Sequence, residues 1–302
     1  MKCVKGLGFL WVAVLAAFFA LWGCDDSSSA GGDGGETSTK SSNSNSSGNG
    51  AKSSNSSVGK EDCSALLEGN TGWSWDVPKE CRFNPDIDYG SMTDERDGNV
   101  YRTVKIGDQV WMAENLNFET ASSHCYLDSA KYCEKTGRLY WWADAVGKSE
   151  EECGLGKLCS LPSGNIQGVC PDGWHLPSYA EWETLLTFVG GEISAASSLK
   201  SASGWDLCSC TNGTGFSALP AAKMFGDRDN PSYDAPEEPY AFFWSSSEDK
   251  QEVSSKVSDD EWTHLFYGNV YTFGLDEHYD SAVLSISDIS KEDGLSVRCV
   301  KD

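Results

Sequence analysis

The sequence predicts an α+β domain, and three observations predict it. Strand-like segments stand at both ends of residues 89–302, a strongly capped helix stands between them, and turn-rich links separate the pieces. Residues 100–106, Val-Tyr-Arg-Thr-Val-Lys-Ile, alternate as a strand, Gly107-Asp108 makes a turn, and residues 109–113 return beside it. Ser178 and Glu181 form an S-x-x-E capping box, and Pro177 disfavours helix before it. Trp182, Leu185, Leu186 and Val189 follow at i, i+3, i+4 and i+7, and Gly190-Gly191 closes the helix. A second short helix is expected over 195–201. Strands are then expected over 215–219, 241–246, 262–267, 270–275, 281–286 and 295–300.

The first 23 residues read as an export signal. Lys2 and Lys5 precede an uncharged apolar run over 7–22, short of the roughly 20 residues of a membrane span but suited to a secretory signal. The run ends in Leu21-Trp22-Gly23-Cys24, which resembles a bacterial lipobox. That resemblance implies cleavage before Cys24, lipidation of this residue and a membrane as the partner it is anchored to. From there to residue 60 the chain is Ser, Asn, Gly and Thr with few apolar residues. It therefore reads as a disordered tether with a root-mean-square span of roughly 30–36 Å. Residues 61–88, with Leu66, Leu67, Trp73 and Trp75 between Cys63 and Cys81, read as a small disulfide-closed lobe.

Composition excludes several functions. The whole chain holds 46 acidic and 23 basic residues. From Cys24 onward there are 46 acidic against 21 basic residues, a net charge of −25 that repels phosphate backbones and argues against nucleic acid as a partner. Twelve Trp and 39% hydrophobic residues are too much apolar material for a wholly disordered chain. Ten cysteines beyond Cys24 point to an oxidising compartment.

A series of motifs carries a family resemblance. Residues 89–98, Tyr-Gly-Ser-Met-Thr-Asp-Glu-Arg-Asp-Gly, lead into Val110-Trp-Met-Ala-Glu-Asn-Leu-Asn117 and Gly137-Arg-Leu-Tyr-Trp-Trp142. Cys170-Pro-Asp-Gly-Trp-His-Leu-Pro177, Gly215-Phe-Ser-Ala-Leu-Pro220, Phe243-Trp-Ser-Ser-Ser247 and Ser296-Val-Arg-Cys-Val-Lys-Asp302 follow. In this order they resemble the Fibrobacter succinogenes major paralogous domain over roughly 89–302. The resemblance implies a disulfide-rich, C-type-lectin-like fold with short helices and twisted antiparallel strands, near the formylglycine-generating domains. His175-Leu-Pro-Ser-Tyr-Ala-Glu-Trp-Glu183 resembles the R-L-P-T-E-A-E-W-E signature of those domains, with His for Arg and Tyr for Glu.

Ten cysteines allow many pairings, and spacing ranks them without choosing. Cys63–Cys81, Cys125–Cys133 and Cys153–Cys159 are local candidates. The lectin-like resemblance implies a bridge from Cys170, before the capped helix, to Cys299 in the last strand. Cys208 and Cys210 are then left for each other.

Little in the sequence asks for catalysis. The enzymes that the resemblance brings to mind hold copper with two cysteines near the end of the domain, and only Cys299 stands there. His124, His175, His264 and His278 share no metal-ligand spacing, and neither a Gly-x-Ser-x-Gly elbow nor a phosphate loop is present. No cofactor is expected, apart from a weak calcium candidate in the oxygen-rich loop of Asp227, Asp229 and Asp234. Trp262, Tyr267, Tyr271 and Phe273 are weak candidates for stacking on sugar rings, since alternation leaves about half of such a segment facing out. The expectation is a non-catalytic, lipid-anchored envelope protein at the outer membrane or cell surface, with the periplasmic face left open, that recognises polysaccharide or envelope components. A structural or assembly role is the alternative, and an enzyme comes after both.

Overall fold

A computed structural model describes residues 60–69, 72–206, 208–234, 240–258, 261–276, 281–285 and 289–302; at 60–62, 252–258 and 261–267 the description is of the backbone alone. The chain enters through helix α1 (Lys60–Leu67), which Cys63 ties to Cys81 in the short turn of helix Lys79–Arg82. Strands β1 (Gly90–Thr93), β2 (Val100–Ile106) and β3 (Gln109–Met112) form an antiparallel meander. Tyr101, Thr103, Val104 and Ile106 of β2 are buried, and Ile106 pairs with Gln109 across the two-residue turn. Gly107 in that turn has φ of 62°, a left-handed conformation that a Cβ would strain.

Short elements follow: α2 (Ala130–Thr136), β4 (Leu139–Trp141), α3 (Trp142–Ala145), α4 (Glu150–Cys153) and β5 (Trp174–His175). Helices α5 (Tyr179–Phe188) and α6 (Glu192–Leu199) come next. The capping box at α5 forms in both directions: Glu181 N donates to Ser178 Oγ, and Ser178 N donates to Glu181 Oε2 at 2.8 Å. Strands β6 (Met224–Gly226) and β7 (Pro231–Tyr233) precede two long strands, β8 (Tyr240–Ser258) and β9 (Glu261–Asp276). Strands β10 (Ala282–Ser285), β11 (Asp293–Ser296) and β12 (Val300–Lys301) complete the chain.

Two sheets result, one ordered β1-β2-β3-β12-β5 and one ordered β10-β9-β8-β11-β6-β7 with β4 on β11. All pairs are antiparallel except the brief β11–β8 contact at Ser296 and Phe243. The final segment, expected as one strand over 295–300, is divided between the sheets. Arg298, 1% exposed, lies between the two strand pieces. Its Nε and Nη2 donate to Asn115 Oδ1 at 3.1 and 2.5 Å, and Nη1 donates to the Phe216 carbonyl. Burial pulls the pKa of this guanidinium well below its ordinary value, to about 9. Residues 215–219 are not a strand either. Gly215 and Ser217 take left-handed φ values of 75° and 57°, and Asn212 Oδ1 accepts from Ser217 N.

One core cluster gathers Trp111, Trp182, Phe216, Phe243 and Phe273 between the first sheet, α5, α6 and the base of β8 and β9. A second surrounds Trp142, Trp174 and Trp244. The disulfides join Cys63 to Cys81, Cys125 to Cys133, Cys153 to Cys159, Cys170 to Cys299 and Cys208 to Cys210. The molecule is thus a mixed α+β domain with a curled antiparallel sheet and several disulfides.

Candidate functional site

The β8–β9 ribbon is the most distinctive surface element. Strands expected separately over 262–267 and 270–275 are one continuous β9, paired with β8 from Tyr240↔Asp276 to Ser258↔Glu261. At its base, β10 covers β9 over residues 272–275, and β11 meets β8 at Phe243. From Lys250↔Gly268 outward, the two strands pair with each other and, among the described residues, with no third strand. Alternation therefore puts positions 262, 264 and 266 on one face of the ribbon and 263, 265 and 267 on the other. Glu248 anchors the base. Its carboxylate accepts from Cys159 N at 2.9 Å and from the buried Lys291 ammonium, which also donates to the Lys157 carbonyl at 2.8 Å.

The four aromatic candidates separate. Phe273 is fully buried and stacks on Trp182 with ring centroids 4.5 Å apart and planes 1° apart, so it is a core residue rather than a ligand contact. Both faces of β9 are covered at this point, which is why alternation did not expose it. Tyr271 is partly exposed and lies against Tyr179 at 4.6 Å. Trp262 and Tyr267 sit on the ribbon's outer half, with their side chains outside the described residues.

The acidic loop does not assemble a metal site: no group of three His, Cys, Asp or Glu side chains able to hold an ion occurs among the described residues. Asp227 turns its Oδ1 inward to accept from Asp229 N at 2.8 Å and Asn230 N at 3.3 Å. Asp229 is exposed, and Asp234 accepts at its backbone carbonyl from the Tyr126 hydroxyl. The neighbouring cation, Arg228, pairs instead with Asp144 and with Glu150 at 2.8 Å. Among the described residues, Asp227, Asp229 and Asp234 are thus not gathered around a common point.

His175, which shares no metal-ligand spacing with the other histidines, holds a specific position. The β5–β12 pairing and the α5 cap bring it between Glu181 Oε1 on Nε2 and Asp302 Oδ1 on Nδ1, each at 2.6 Å. Burial alone would depress this imidazole, but the hydrogen bonds and charges of Glu181 and Asp302 outweigh burial and raise its pKa above 6.5. Glu181 is held below its ordinary 4.5, because bonds from His175 and Ser178 overcome its own desolvation. The cluster is a charged clamp between the start of α5 and the end of the chain.

Sequence reasoning missed a cleft beside the small lobe, with a volume of about 510 Å³ and walls that include Leu67, Phe83, Ile87, Tyr89 and Arg102. Nothing local signals it, since α1 and β2 meet there only through folding. Of the other expected features, Cys24 lies outside the described residues. No helix among the described residues is long and apolar enough to cross a membrane.

These features define a disulfide-bonded α+β domain bearing a long two-stranded ribbon. Residues 104–301, well over half the chain, match the family model of the Fibrobacter succinogenes major domain, and the chain belongs to that family. No curated protein and no solved structure matches it.

Proposed function

We propose that this protein is a non-catalytic recognition module of the cell envelope: a lectin-like domain held to a membrane through lipid on Cys24 and a tether, binding polysaccharide through the β8–β9 ribbon. One observation carries the reading. Among the described residues the outer ribbon pairs with no third strand, and it places Trp262, His264 and Phe266 at successive same-side positions of β9. Flat aromatic groups beside polar ones are the material of sugar-stacking surfaces. Residues 252, 254 and 256 on β8 (Glu252, Ser254 and Lys256) share that face and supply polar positions. The test is retention of the purified chain on insoluble cellulose and hemicellulose, compared with a Trp262→Ala/Phe266→Ala variant. Loss of retention in the variant supports the reading, and no retention of the parent on any polysaccharide defeats it.

A second reading rests on the same ribbon. Among the described residues no strand pairs with its outer edges, and open edges favour strand addition by a protein partner. An envelope assembly role of that kind predicts cross-links from 250–258 or 261–268 to a protein, without polysaccharide affinity.

A further inference from the structure

We infer that the cleft between the small lobe and the first sheet binds a carboxylate carried on a six-membered ring, with Arg102 as its counter-ion. The cleft's volume of about 510 Å³ falls within the range of about 300–1,000 Å³ typical of small-molecule sites. Its walls are mainly apolar: Leu67 from α1, with Phe83, Ile87 and Tyr89. Phe83 and Tyr89 meet edge to face with centroids 5.4 Å apart, and the Tyr89 hydroxyl is fixed by Ser217 Oγ at 3.0 Å. These walls are preformed. The nearby backbone at Gly215 is packed so closely that a Cβ would lie 2.7 Å from Ile87 and 3.1 Å from Tyr89.

Arg102 makes the cleft selective. The guanidinium carbon lies 4.1 Å from the centre of the Phe83 ring and 5.7 Å from that of Tyr89. The group packs over the Phe83 ring, and its side-chain nitrogens meet no hydrogen-bond acceptor or carboxylate among the described residues; only its backbone N donates, to Glu114 Oε2 at 2.6 Å. That is unusual for this chain. Acidic residues outnumber basic ones two to one, and Arg82, Arg96, Arg138, Arg228 and Arg298 each donate to a protein acceptor. A partly buried, stacked guanidinium with free in-plane donors matches the two oxygens of a carboxylate, and the apolar walls match the flat faces of the ring that bears it. Sugar acids and aromatic acids share this chemistry. Glu80, exposed at the same cleft, opposes an anion and sets a limit on affinity.

This site belongs to the first sheet and is independent of the ribbon in the second. Isothermal titration of the purified chain with glucuronate and with benzoate tests it, using glucose and benzyl alcohol as neutral counterparts. At least one acid binds, its neutral counterpart binds about 10-fold more weakly or worse, and Arg102→Gln lowers affinity for the acid by a similar factor. Binding of glucuronate alone assigns a sugar acid, and binding of benzoate alone assigns an aromatic acid. Glu80→Gln tightens binding about 2–3-fold, a gain that damaged folding cannot mimic. The Trp262→Ala/Phe266→Ala variant binds the acid as the parent does, which separates this site from the ribbon. Failure of both acids to bind, equal binding of acid and neutral ring, or unchanged affinity in Arg102→Gln overturns the inference.

Discussion

Replacing His175 with Gln removes a cation held between two carboxylates, and the structure sets the size and pH dependence of the loss. The imidazole is 3% exposed, Glu181 is 26% exposed and Asp302 is 50% exposed. A charge-assisted hydrogen bond contributes about 1.5–3 kcal/mol, and the bond to Glu181 is counted near that range. The bond to Asp302 is screened by solvent and is counted at about 0–1 kcal/mol. Gln restores one neutral bond, so the expected loss is about 2 kcal/mol at pH 6, or roughly 4–8 °C in a domain of this size. The sign follows from the raised pKa of His175. Its contribution is complete below the unfolded-state value of about 6.5 and is lost as pH rises through the higher folded-state value. Glu181 acts oppositely: its contribution is present above about 4.5 and is lost as pH falls through its lowered folded-state value. Urea melts between pH 5 and 9 therefore show the parent losing stability above pH 6.5, with the difference from His175→Gln shrinking as it does. A difference between the two proteins that stays constant or grows from pH 6.5 to 9 refutes the clamp.

Other expectations can be checked by the same melts or by fractionation. Phe273→Ala costs about 3–5 kcal/mol, because it empties the space stacked on Trp182, whereas Tyr271→Ala at the partly exposed position costs far less. Lys291→Met leaves the 8%-exposed Glu248 carboxylate without its cation and costs about 3–5 kcal/mol, much of which Glu248→Met in the same chain restores. Opening Cys170–Cys299, separated by 129 residues, with a paired Ser substitution costs about 4–5 kcal/mol on the chain-entropy account. The proposed lipidation of Cys24 predicts that Cys24→Ser moves the protein from the membrane to the soluble fraction of cells, and an unchanged distribution contradicts it.

What the sequence disclosed and what it concealed differ in range. The α5 cap was legible because Ser178 and Glu181 satisfy each other within one turn, and the β2–β3 hairpin was legible because its turn is local. The division of the last strand was not legible. Arg298, between its two pieces, meets Asn115, 183 residues away in sequence, and the Phe216 carbonyl. Phe273 was misread for a related reason: period-two alternation shows which residues share a face, but not that both faces of β9 are covered at its base. The acidic loop looked like a cation site because composition counts carboxylates and cannot show that Asp227 is already accepting from its own turn. Arg102 gave no signal at all, since an arginine in an alternating strand ordinarily faces water.

The outer β8–β9 ribbon is proposed to make this domain a polysaccharide-binding module. Depletion of the folded chain from solution by a panel of insoluble cellulose and hemicellulose, with and without Trp262→Ala/Phe266→Ala, tests it most directly. Depletion by at least one polysaccharide is expected, and its loss in the variant at unchanged thermal stability. A folded parent chain that stays in solution with every polysaccharide contradicts the account.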